Sequence, residues 1–360
     1  MTNTSKFVIP AKAGIQDFLW IPNQVGDDIL FCGHNNTPME QDRKSPFAKA
    51  SEDKSEIFML VDGSAIVHRA YHSMPPLTRL DGTPTGAVQG FFSLLLKVIQ
   101  ELNPAHIAIA FDRPSPNFRK ELFKAYQSQR PAMESDLSPQ FGIIQGILEK
   151  AKISQYGADG LEADDIIGTI SEKAKKTGHL VYIVTGDRDM LQLVNHKTKV
   201  LAPIKGISEM TLFDAEKVRE KYGINPDQFI EMKALMGDAS DNYPGVTGIG
   251  PKTASALINE YGTVDNIYRN IEKLKVKNAK LAQKLIDGEE NARIAHQLAT
   301  ILTDAPFEYS FSDCDIKHLD VESFKKALES YDFKTLPKRL DEVFGKDGSI
   351  AKSKMQMKLL

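Results

Sequence analysis

Cysteine is almost missing from this chain: two occur among 360 residues, Cys32 and Cys314. They are far apart and match no redox or metal-binding spacing, which excludes a disulfide scaffold and fits a reducing cytoplasm. Tryptophan is scarcer, with Trp20 alone. No apolar run approaches the ~20 residues of a membrane helix. The first residues also lack the basic start and apolar core of an export signal. The reading is therefore a cytoplasmic protein with no membrane partner. Charge of one sign is lacking too: 45 Lys and Arg face 48 Asp and Glu, a formal net charge of −3. That argues only weakly against a nucleic-acid binder, because acids gathered in one site would offset basic surface elsewhere. The length allows two domains or one large one.

What is present is a concentration of acids in particular places. Residues 160–168 read GLEADDIIG, with Glu162, Asp164 and Asp165 just before Ile166, Ile167, Ile170 and Ala174, whose spacing predicts a helix with one buried face. One or two acids in a first turn need no special explanation, since the helix dipole favours each by about 0.3–1 kcal/mol. Three repel one another, and a cation accounts for them better. Three short apolar runs, IFMLVDGSA, AHIAIAFDRP and HLVYIVTGDRD, end at Asp62, at Asp112, and at Asp187 with Asp189. Runs of this kind separated by helical stretches read as buried strands of a parallel sheet. Ligands of such sheets bind outside the carboxyl ends of the strands. A lone strand-terminal aspartate is usually a turn former; three of three is not. Asp238 and Asp241, in MGDASDN, have the same character. All-oxygen sets suit Mg²⁺ or Mn²⁺, whereas the histidines and cysteines show no zinc spacing. Two hard metals about 3.5–4 Å apart serve phosphodiester chemistry.

The segments LVDGSAIVHRAYHSMPPLT, GTPTGAVQGF, FRKELFKAYQSQRPAM, LEADDIIGTI, VTGDRDMLQLV and ALMGDASDNYPGVTGIGPKTA resemble the 5′→3′ exonuclease domain of bacterial DNA polymerase I and the flap endonucleases. The resemblance runs in order from about Ile57 to about Phe344. It implies an α/β fold, a parallel-sheet PIN-like nuclease core with a helical arch and a helical helix-three-turn-helix DNA-binding region. It also implies structure-selective hydrolysis of DNA and RNA-primer phosphodiesters at 5′ ends, flaps and nicks, with two or more Mg²⁺ ions that Mn²⁺ can replace. Carried over position by position, the metal acids are Asp62, Asp112, Glu162, Asp164, Asp165, Asp187, Asp189, Asp238 and Asp241.

The implied arch spans about 113–140. There Arg113, Arg119, Lys120, Lys124 and Arg130 interleave with Phe118, Phe123 and Tyr126, and such a mixture can pair with phosphates and stack on unpaired bases. Arg69, Lys124, Tyr126 and Arg130 are the expected catalytic residues, and Arg119 is expected on DNA. One position departs from the family: Gln127 stands where a lysine is usual. GVTGIGPKTASALI reads as a glycine hairpin before a helix, whose N–H groups can hold a phosphate. Gly245, Gly248, Gly250, Lys252 and Thr253 are its expected DNA contacts, with K⁺ at the hairpin carbonyls as an option.

The boundaries expected are an extraneous or disordered extension over 1–56, a nuclease core over 57–224, a helical DNA-binding region over 225–344 and a flexible tail over 345–360. The protein is expected to be a monomer. Three alternatives stand beside a nuclease: a catalytically weak or inactive flap-binding protein, a fragment of a full-length DNA polymerase I, and a small-molecule phosphatase. The last would have no use for the arch or the hairpin.

Overall fold

The computed structural model describes residues 55–206, 209–345 and 350–351. The extension expected over 1–56, save its last two residues, and most of the tail expected over 345–360 lie outside them. Ile57–Asp62 (β1) and His106–Ala110 (β2) are buried along their whole length, as is the later run Leu180–Val184. With Ser154–Tyr156 as β3, that run is β4, followed by Thr198–Lys205 (β5) and Glu209–Phe213 (β6). They form one sheet in the order β3-β2-β1-β4-β5-β6, parallel except for the β5–β6 edge. Continuous apolar sequence fits this placement, because both faces of a central parallel strand are covered.

The α-helices in chain order are α1 (Gly63–Ser73), α2 (Gly86–Leu102), α3 (Phe118–Leu122), α4 (Ser138–Lys150), α5 (Ala163–Lys176), α6 (Ala215–Tyr222), α7 (Phe229–Met236), α8 (Pro251–Tyr261), α9 (Val264–Arg269), α10 (Ile271–Lys277), α11 (Ala279–Asp287), α12 (Glu289–Ala299), α13 (Val321–Ser330) and α14 (Thr335–Val343). Alternation along β1 divides the core. Met59 and Val61 face Phe91, Leu95, Ile144 and Leu340, whereas Phe58 and Leu60 belong with Ile166, Ile170, Met232 and Ile258. None of the described helices is long and apolar enough to cross a membrane.

Two features differ from the sequence expectation. The segment over 113–140 is not a helical arch: it holds the five-residue α3, then turns, then the start of α4. It lies down on the loop after α7, where Asn242 Nδ2 donates to Ala125 O at 2.8 Å and the Gln127 N–H donates to Asp241 O at 2.8 Å. The region over 225–344 also divides. Helices α7, α8 and α12 pack together, but α13 and α14 return to α4 and α2 on the other face of the sheet. The reason is the apolar stripe of α13, in which Phe324, Ala327 and Leu328 are buried and the Phe324 ring meets Phe92 edge-on at 5.4 Å.

Phe324→Ala removes that anchor and leaves a cavity between α13 and α2. Its expected cost is about 3–5 kcal/mol of unfolding free energy, measured by denaturant unfolding. A loss well under 1 kcal/mol would show that α13 is not integral to the core.

Candidate metal centre

Because β1, β2 and β4 are parallel neighbours, their C-terminal ends share one edge. Asp62 closes β1 and caps α1, with Oδ1 accepting from the Ala65 N–H at 2.9 Å. Its other oxygen accepts from the Thr185 hydroxyl at 2.7 Å. That same hydroxyl oxygen accepts from the Asp187 N–H at 2.9 Å, so one threonine fixes the acids beyond β1 and β4 together. Asp112, just past β2, accepts from the Ala163 N–H at 2.9 Å and thereby holds the start of α5 against the sheet. The acid triplet reaches the strand ends through that bond.

The three acids of the triplet do different work. Asp165 is 0 % exposed. It accepts from Arg119 Nη1 and Nη2, each at 2.8 Å, and from the N–H groups of Glu162 and Leu302 at 3.1 and 3.0 Å. Glu162 accepts from Arg119 Nη1 and Asn117 Nδ2 at 2.8 Å, from Gln127 Nε2 at 3.2 Å and from the Tyr126 hydroxyl at 3.3 Å. Asp164 faces the other way, where its neighbours are Asp187, Asp62, Glu162 and Asp112.

A second group lies beside the first. Asp189, Asp238 and Asp241 each offer an oxygen within 4.8 Å of the others. The Lys233 ammonium pairs with Asp189 at 2.8 Å and also with Asp238. Arg130 pairs with Asp241 at 2.5 Å, and the one Tyr126 hydroxyl proton is shared between Glu162 and Asp241, the latter at 3.2 Å. Among the described residues no ion pair within 4.0 Å reaches Asp62, Asp112, Asp164 or Asp187.

Burial and mutual repulsion leave their mark on these groups. Desolvation, followed by Asp112, raises the Asp62 carboxyl to about 6, and desolvation raises Asp187 to about 6. Asp189 rises to about 7, burial outweighing Lys233, and burial with four neighbouring acids lifts Asp164 well above the usual range. Burial also raises Glu162 against the pull of Arg119. At Asp238 burial pushes upward, but Lys233 and Ser240 outweigh it and hold the carboxyl low. A cluster of mutually repelling carboxylates, four of them outside any ion pair among the described residues, has the character of a site for a hard divalent ion. The donor set fits that group.

Several residues are placed otherwise than expected. Arg119 cannot serve DNA: it is 2 % exposed. Its five N–H donors are spent on Glu162, Asp165 twice, Leu298 O and Thr300 O. Asp165, the partner of two of those donors, braces Arg119 against the start of α5. Gly245 is buried, and a Cβ on it would stand 2.2 Å from Gly237 N, so it makes the tight hairpin of Gly237–Asp238 (β7) with Tyr243–Pro244 (β8) and meets no ligand. Arg69 donates to Ile204 O at 2.6 Å and Gly206 O at 3.1 Å, on β5 and the turn after it. Tyr126 is buried and stacks on Tyr243 with ring centroids 6.2 Å apart. Lys124, Gly248, Gly250 and Lys252 are exposed, with Thr253 half-buried at the start of α8. Sequence reasoning missed Lys233, Thr185 and Asn117. A lone lysine inside the apolar run FIEMKALM was the available signal for the first; a threonine or asparagine in a loop carries none.

The chain matches two models of one family. Residues 57–223 match the "5'-3' exonuclease, N-terminal resolvase-like domain" and residues 224–322 the "5'-3' exonuclease, C-terminal SAM fold". DNA polymerase I of Bacillus subtilis is 39 % identical over 284 residues, 79 % of this chain and 32 % of that protein. DNA polymerase I of Rhizobium leguminosarum is 36 % identical over 307 residues, 82 % of this chain and 29 % of its own length. The chain thus spans about a third of the length of these relatives. Among solved structures, the bacteriophage T5 flap endonuclease complex with DNA and metal ions shares the fold with a TM-score of 0.56 at 22 % identity, covering 79 % of this chain and 100 % of that one. The catalytic core of Rad2 in complex with DNA substrate gives 0.51 at 18 % identity, covering 80 % and 91 %.

Two predictions follow from the electrostatics. A carboxyl raised in the folded state binds its proton more tightly there than the unfolded chain does, at about 3.9. Its stabilisation is complete below about pH 4 and is lost as pH rises through about 6 for Asp62 and Asp187 and about 7 for Asp189. In chelator the melting temperature should therefore fall between pH 5 and pH 7.5, and Asp187→Asn should melt higher than wild type at pH 7.5 with a shallower slope. An unchanged slope would refute the assignment. Arg119→Ala should cost about 3–5 kcal/mol, because Asp165 is left charged, buried and unpaired. Unfolding measurements that find full stability with weakened DNA binding would return Arg119 to the DNA surface.

Proposed function

Because the chain belongs to the 5′-3′ exonuclease family, we propose that it is a divalent-metal-dependent nuclease that hydrolyses phosphodiesters of DNA and RNA primers at 5′ ends, flaps and nicks. The observation that carries this reading is the meeting of Asp62, Asp112, Asp164 and Asp187 at one sheet edge, with no cation paired to them among the described residues. The T5 and Rad2 structures, named for complexes with DNA, support the substrate class. The ion is Mg²⁺, with Mn²⁺ able to replace it, and the enzyme acts as a monomer in the cytoplasm.

Asp62, Asp112, Asp164 and Asp187 would hold one ion and Asp189, Asp238 and Asp241 a second. Ions held there would supply the Lewis-acid charge that phosphodiester hydrolysis by water needs. The chain's own residues set the frame. Arg119 and Asp165 brace Glu162 from beneath, and Tyr126 and Gln127 donate to it from above. Burial keeps the Tyr126 phenol protonated, so it remains a donor. Arg130, half-exposed beside Asp241, is a guanidinium open to an arriving phosphate. At the far side Gly248, Gly250, Lys252 and Thr253 present the exposed start of α8 to a duplex backbone. A K⁺ ion at that hairpin would share Gly248 O with the Lys284 ammonium, which donates to it at 3.0 Å.

The test is a 5′-labelled flap incubated with Mg²⁺, with and without chelator. Cleavage near the junction that stops in chelator is the expected result. Release of nucleotides from 3′ ends would overturn the polarity, and tight binding without cutting would favour the inactive flap-binding alternative. Gln127 gives Glu162 a hydrogen bond but no charge. Gln127→Lys should raise the single-turnover rate with little change in affinity, since one transition-state donor can be worth about 10²–10³-fold. An unchanged rate would mean that Lys124 or Arg130 already fills that role.

A further inference from the structure

We propose that Glu56, His106 and His179, at the opposite edge of the sheet from the carboxylates, form a binding site for an imidazole-preferring divalent metal of the zinc class. Glu56 directly precedes β1, His106 opens β2, and His179 directly precedes β4. Ile57 pairs with Leu180 and Phe58 with His106, so the register sets Glu56 beside His179 and puts both on the face of the sheet that holds Phe58 and His106. Each of the three offers a ligand atom within 4.8 Å of the other two. Phe311 packs over both imidazoles, its ring centroid 4.4 Å from that of His106 and 4.8 Å from that of His179.

Two observations point to an ion. The Thr177 hydroxyl donates to Ala174 O at 2.8 Å, so toward His179 Nδ1, 2.9 Å away, its oxygen can only accept. With Nδ1 held by Thr177, the other ring nitrogen of His179, Nε2, faces Glu56 Oε2, 3.6 Å away. A nitrogen and a carboxylate oxygen facing each other at that distance leave room for a bound ion between them. Independently, His106 is 8 % exposed and its Nδ1 is buried with no hydrogen-bond partner.

Two imidazoles and one carboxylate with a fourth position open to water suit zinc-class ions, whereas Mg²⁺ prefers oxygen alone. Thr177 supplies the outer hydrogen bond that usually fixes a ligating histidine. Glu56, 68 % exposed, leaves a path for entry. An ion there would tie the starts of β1, β2 and β4, just as the carboxylates gather their ends.

The experiment uses the full chain, stripped of metal and held in excess Mg²⁺ to saturate the acidic centre, then titrated with Zn²⁺ by calorimetry and with Co²⁺ by visible absorption. Wild type should bind about one equivalent with a four-coordinate Co²⁺ spectrum and a raised melting temperature. Asp187→Asn should keep that site. His179→Ala and Glu56→Gln should lose it while still folding, and Thr177→Val should weaken it about 10–100-fold. No saturable binding by wild type, or equal binding by His179→Ala, would overturn the proposal. In that event a proton fills the gap and Glu56–His179 is an ion pair.

Discussion

Arg119 gives its five N–H groups to Asp165, Glu162 and the carbonyls of Leu298 and Thr300, and the acidic edge depends on that arrangement. The guanidinium joins three stretches far apart in sequence: the segment after β2, the start of α5 and the end of α12. A flat, always-charged fork suits the position, since the carboxylate, the helix start and the two carbonyls approach from different sides. Without it the triplet would be a buried cluster of like charges at a helix start. With it, one acid becomes a fixed support, one is shared, and the third is left to face the strand ends.

The remaining acids divide by what neutralises them. Asp189 and Asp238 share the ammonium of Lys233, and Asp241 has Arg130. Asp62, Asp112, Asp164 and Asp187 lean on one another. Repulsion of this kind costs stability while no ion is bound, and the fold withstands it because the central strands beneath are packed against apolar clusters on both faces. Lys233 stands in the second group as a tethered cation, so a divalent ion entering there must displace or share it.

A parallel sheet makes its two edges chemically independent. All the strand ends of β1, β2 and β4 lie on one side and all their beginnings on the other. One edge gathers carboxylates, the other two histidines and a glutamate, and the same register aligns both sets. A change at one edge is separated from the other by the full length of the buried strands.

Much of this was legible in the sequence. Apolar runs ending in aspartate gave buried strands and a shared acidic edge, because strand burial and strand direction are local properties of composition and spacing. Glu162, Asp164 and Asp165 were visible as a cluster for the same reason. Their separate roles were not, and neither was the burial of Arg119 or the hairpin role of Gly245, since hydrogen-bonding capacity is allotted only when distant segments meet. Lys233, one lysine in an apolar helix, gained its role only when the fold set it between two carboxylates. The histidines had no ligand spacing along the chain. Glu56, His106 and His179 come together only through the pairing of three strands, which brings residues 50 to 123 positions apart into register while strand geometry holds neighbouring chains about 4.8 Å apart.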